Sequence, residues 1–65
     1  MQIFIKFNRT LSLEELISLA NHPDFSVRKK GADWVRLWVE SEKAFEKAAH
    51  LPNVRRVEID EWVKS

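Results

Sequence analysis

The chain has 65 residues, 32% of them charged, with 11 Lys and Arg against 10 Asp and Glu for a net charge of +1. That balance excludes the strong global field by which polybasic proteins gather polyanions. With no cysteine there is neither a disulfide nor a thiolate metal site to reinforce the fold. A chain this short buries only about 60% of the surface its unfolded form exposes, so its three Trp and four Phe must supply much of the burial. No apolar run approaches the length of a bilayer crossing, and the chain enters a strand at once, without a signal-peptide pattern. The expectation is a soluble, cytoplasmic protein with one domain over residues 1–65.

Residues 2–8 alternate, with Ile3, Ile5 and Phe7 on one side and Gln2, Phe4, Lys6 and Asn8 on the other, the period of a half-buried strand. Ser12 and Glu15 then form an S-x-x-E capping box, flanked by Leu11 and Leu16 at the positions of a hydrophobic staple. Leu13, Leu16, Ile17 and Ala20 line one helical face. Pro23 stops the helix near Asn21-His22, because the residue before a proline avoids helical geometry. Phe25 to Lys29 alternates again. Lys30-Gly31 predicts a hairpin turn in which the single glycine supplies a positive φ.

Trp34 to Val39 is the most informative stretch, because both of its sides are heavy. Val35, Leu37 and Val39 face one way; Trp34, Arg36 and Trp38 face the other, as expected of a central strand. Ser41 is an N-cap with Glu42 in the first turn. Ala44, Phe45, Ala48 and Leu51 form a narrow apolar stripe, so the second helix packs close. After Leu51-Pro52-Asn53, Val57 and Ile59 alternate with Arg56, Glu58 and Asp60 in a last strand that precedes Trp62-Val63.

Strand, helix, strand, strand, helix, strand, joined by right-handed crossovers, predicts a ferredoxin-like βαββαβ two-layer α+β sandwich. Its four-stranded antiparallel sheet carries two helices on one face. Ile3, Ile5, Phe7, Leu16, Ile17, Val35, Leu37, Phe45, Val57 and Ile59 are the expected core. The other face then presents Phe4, Lys6, Trp34, Arg36 and Trp38, joined by Arg28 if the second strand keeps register. Rings interleaved with cations suit unstacked bases and their phosphates.

Lys30-Gly31-Ala32-Asp33-Trp34-Val35-Arg36-Leu37 resembles the third-strand signature of RNA-recognition motifs, K/R-G-F/Y-G/A-F-V-x-F/Y, at Lys30, Gly31 and Val35. Trp34 stands at the fifth-position Phe. Ile3-Phe4-Ile5 resembles the first-strand signature of that family, and Glu40-Ser41-Glu42-Lys43-Ala44 its entry into the second helix. The resemblance implies Phe4 and Trp34 as base platforms. The chain departs from the pattern at Ala32, Asp33 and Leu37. Asn53-Val54-Arg55-Arg56-Val57 is similar to last strands of several ferredoxin-like families, among them a small-subunit ribosomal protein.

Three readings of this face therefore stand side by side. As a small non-enzymatic binding module, the chain takes single-stranded RNA as its most specific candidate ligand. As an interaction module it packs a protein partner or a second copy there, a use that Glu58 and Asp60 favour, and Trp and Arg are enriched in such interfaces. As a purely structural unit it keeps Phe4, Trp34 and Trp38 as cross-strand neighbours worth about 0.2–1 kcal/mol per pair. The agreement of caps, staple and alternation is also what a designed sequence without a ligand would show. Enzymatic chemistry is not expected. One glycine cannot build the anion loop of acylphosphatases, which share this fold, and no nucleophile–base spacing or phosphate-cradling loop is present. No cofactor or metal is expected, since His22 and His50 fall near helix C-termini, where a donor relieves free carbonyls.

Overall fold

A computed structural model describes residues 1–60; Trp62 and Val63, placed after the last strand by the sequence reading, lie outside them. The alternating segments form β1 (Gln2–Phe7), β2 (Phe25–Lys30), β3 (Trp34–Val39) and β4 (Val54–Ile59). The amphipathic ones form α1 (Leu13–Ala20) and α2 (Glu42–Ala49). The strands make one antiparallel sheet in the order β2-β3-β1-β4, which is the ferredoxin-like α+β fold expected. In the central pair, Ile3 lies opposite Leu37 and Ile5 opposite Val35. All four are fully buried, as is Val39. Ala44 and Ala48 are buried too, so small side chains let α2 lie close to the sheet.

The helix starts follow the capping rules. Ser12 Oγ accepts from the Glu15 N–H at 3.1 Å while Glu15 Oε1 accepts from the Ser12 N–H at 2.8 Å, closing the box. Ser41 Oγ accepts from the Ala44 N–H at 3.2 Å without a reciprocal bond. Ser12→Ala is therefore expected to cost about 0.5–2 kcal/mol and Ser41→Ala less. Urea titration of both variants checks the order.

Three expectations about the core and the turns need correction. The α1 stripe of Leu13, Leu16, Ile17 and Ala20 does not face the core: Leu13 is 73% exposed and Ile17 49%, while Leu19 is buried. The loop before the helix sets its rotation. Leu11 is buried and its N–H donates to the Ala32 carbonyl at 2.7 Å, and Leu19, two turns on, is carried to the same side. Leu16 packs against the core only in part. Ile59 points to the helix side, opposite Ile3, but ends an edge strand and stays 59% exposed. Gly31, finally, has no positive φ; Asn53 does, at 65°, in the turn between α2 and β4, where asparagine tolerates that conformation. The reason for glycine at position 31 is space. A Cβ there would stand 2.0 Å from Trp34 Nε1.

Two carboxylates tie the connections to the helices. Glu15, held by the Ser12 backbone N–H and by Arg9 at 2.7 Å, titrates below its ordinary 4.5. Asp24 titrates below its ordinary 3.8, chiefly through its 2.8 Å bond from Lys47 on α2. Both groups are depressed in the fold, so their stabilisation is present above the ordinary values and is lost as pH falls through the folded ones. Thermal unfolding followed down an acid series is expected to show Tm decline from about pH 4.5. The combined Glu15→Gln, Asp24→Asn variant should lose that part of the decline.

Candidate binding face of the sheet

The register of the central strands brings together the side chains that the alternation assigns to the open face. Phe4 lies opposite Arg36, and Lys6 opposite Trp34. The Phe4 and Trp34 rings stack on the diagonal, with centroids 5.8 Å apart at 29°. The Arg36 guanidinium sits over both, 5.3 Å from the Phe4 centroid and 5.5 Å from that of Trp34. Each such cation–π contact is worth about 0.5–1 kcal/mol when exposed. Arg28 reaches the same face and lies 5.6 Å from the Trp38 ring centroid. All six residues singled out from the sequence therefore share one surface.

The sequence reading put Glu58 and Asp60 on this surface but missed how its charges pair. Lys6 Nζ donates to Asp33 at 2.6 Å, and Arg36 Nε to Asp60 at 2.7 Å. Arg56 pairs with Glu58 at 3.2 Å, and the Trp38 indole N–H donates to Glu40 at 2.9 Å. The Arg36–Asp60 pair is the most shielded of these, with Asp60 only 13% exposed. Together Phe4, Arg36, Arg56, Glu58 and Asp60 line a shallow polar depression of about 420 Å³. Alternation along the last strand puts Glu58 and Asp60 on this face, so their presence was legible. Their choice of partner was not.

Lys29 was also missed, for a different reason. Between Val27 and Lys29 the β2–β3 register shifts, as at a β-bulge, so two residues of β2 oppose one of β3. Val27 stays opposite Leu37 on the helix side, while Lys29 lands opposite Arg36. Both Arg28 and Lys29 thus belong to the open face. A strict period of two assigns Lys29 to the other.

The histidines have local roles. His50 Nδ1 lies 2.8 Å from the Glu46 carbonyl; the carbonyl only accepts, so the ring donates there and relieves the end of α2. His22 departs from the expectation of a donor. Its Nδ1 accepts the Asp24 N–H at 3.1 Å, and its ring stacks on Phe25 at 4.2 Å. Among the described residues no group of three or more His, Cys, Asp and Glu could hold a metal ion, and no helix is long and apolar enough to cross a membrane.

Fold and face define a ferredoxin-like domain whose exposed sheet surface carries rings and paired charges. No protein-family model, curated protein or solved structure matches the chain.

Proposed function

We propose that this chain is a non-enzymatic binding module whose open sheet face takes a polypeptide. The observation that carries this reading is the pairing of the two central cations, Lys6 with Asp33 and Arg36 with Asp60. A phosphate backbone crossing the centre of the sheet would have to break both pairs. It would also meet Glu58 and Glu40, at a cost that base stacking must first overcome. A polypeptide, whose charges are not evenly repeated along its backbone, need not break those pairs: aromatic anchors inside a rim of mixed charge are what protein interfaces use.

Single-stranded RNA is the second reading, favoured by one observation. Phe4 and Trp34, the base platforms that the RNA-recognition resemblance implies, are in contact on adjacent central strands. The two readings separate in one experiment. A displayed random-peptide library and a mixed-sequence single-stranded RNA pool are each selected on immobilised protein, and the winners are retested on Trp38→Ala and Trp34→Ala variants. On the polypeptide reading peptides are enriched, and Trp38→Ala costs about 2 kcal/mol of their binding. RNA enrichment that Trp34→Ala reduces by about 1–3 kcal/mol, with no face-dependent peptide, replaces it by the RNA reading.

A further inference from the structure

We infer that the polypeptide taken by this face is a short acidic segment, seated at the β2 flank against Arg28, Lys29 and Trp38; the inference rests on the polypeptide reading above. Charge on the open face is unevenly satisfied. At the centre and at the β4 flank Lys6, Arg36 and Arg56 each have a carboxylate within 3.2 Å; Arg55, the extra residue at the β4 register shift, is exposed and has neither a carboxylate nor a ring contact among the described residues. At the β2 flank, Arg28 and Lys29 are exposed and have none within salt-bridge reach among the described residues.

The bulge makes this imbalance. It delivers two consecutive cations to one face and sets Lys29 directly opposite Arg36, and like charges placed opposite each other across strands are destabilising. A carboxylate from outside would relieve that repulsion. Trp38 lies beside them, with the Arg28 guanidinium over its ring and Glu40 bonded to its indole N–H, so an incoming carboxylate is seated on the β2 side of the ring, where the cations are, and the ring serves as its apolar contact.

Size decides between a segment and a globular partner. A standard interface buries about 800 Å² of accessible surface per partner and would have to extend over the already paired charges of the centre and the β4 flank. An extended segment crossing from Trp38 to β2 covers only the two strands that carry Arg28, Lys29 and Trp38. Adding a strand to the β2 edge is disfavoured by the same bulge, which breaks the regular edge.

The competing explanation is that Arg28 and Lys29 only guard an edge strand against self-pairing. A labelled peptide of alternating Glu and Ser, its Gln–Ser counterpart and a labelled single-stranded RNA of similar charge are titrated by anisotropy at low salt. The protein is wild type, the Arg28→Gln/Lys29→Gln double variant, Trp38→Ala, or Lys43→Gln as a distant charge control. Light scattering and melting are recorded for each. The expected result is binding of the Glu–Ser peptide, weakened roughly tenfold in the double variant and for the Gln–Ser peptide. Lys43→Gln should not change it, and the double variant, which loses the Arg28–Trp38 contact but also the Lys29–Arg36 repulsion, should melt close to wild type.

Equal binding of the two peptides, lost in Trp38→Ala, overturns the acidic assignment while the polypeptide reading stands. Binding of RNA alone overturns both. Failure of every probe, with the double variant self-associating, makes the two cations edge guards and overturns the assignment; the library selection then decides the wider reading separately.

Discussion

Leu37→Ala is expected to destabilise the protein by about 2–5 kcal/mol, the range for truncating a buried leucine into a cavity. Leu37 is fully buried, with Ile3 opposite it on one side and Val27 on the other. Neither neighbour can follow the shortened side chain without moving a paired strand. At roughly 0.05–0.15 kcal/mol per residue a chain of this length holds only about 3–10 kcal/mol in all. The loss therefore takes a large part of the total. Leu13→Ala is the matched control: at 73% exposure it is expected to stay within about 0.5 kcal/mol. Urea midpoints that place Leu13→Ala below Leu37→Ala would mean that α1 is turned by its apolar stripe rather than by Leu11.

Gly31→Ala is expected to destabilise the protein even though its backbone would accept alanine. Two effects oppose each other. The glycine has no positive φ, so alanine is compatible with its backbone and, by restricting the unfolded chain, would stabilise by about 0.4–1 kcal/mol. Against that, the new methyl would stand 2.0 Å from Nε1 and 2.4 Å from Cε2 of Trp34. The indole has to leave, and with it go its stacking on Phe4 and its contact with Arg36. The lost ring pair and cation–π contact are worth about 0.5–1.5 and about 0.5–1 kcal/mol, so their loss outweighs the gain. The net loss is read by urea titration and the displaced ring by a change in Trp fluorescence. An alanine variant as stable as wild type, with unaltered fluorescence, would remove the steric account of this glycine.

The fold was legible because period two and the caps are local signals that agree with each other. Ile3, Ile5, Val35 and Leu37 alternate without interruption, and Ser12 with Glu15 marks a helix start wherever it occurs. What was not legible depended on contacts between distant parts of the chain. The α1 face was misassigned because Leu13, Leu16, Ile17 and Leu19 offer two apolar sides, and a backbone bond from Leu11 to Ala32 chooses between them. Gly31 was explained by its backbone freedom, whereas its reason is an indole three residues on. At the candidate site the six residues were found by alternation alone. Lys29 escaped because a bulge breaks the count, and the pairing of Lys6 with Asp33 and Arg36 with Asp60 joins residues that sequence does not place side by side.

The strand order has a kinetic consequence. β1 lies between β3 and β4, and its pairing with β4 sets Ile3 opposite Ile59, a closure across most of the chain. Such closures carry the largest loop entropy and form late. During folding β1 and β3 can pair across the shorter separation, but the other edge of β1 stays bare until β4 arrives. That edge exposes unpaired N–H and C=O groups beside Ile3 and Ile5, a template for a neighbouring chain. The interval before β4 docks is thus the period of greatest aggregation hazard.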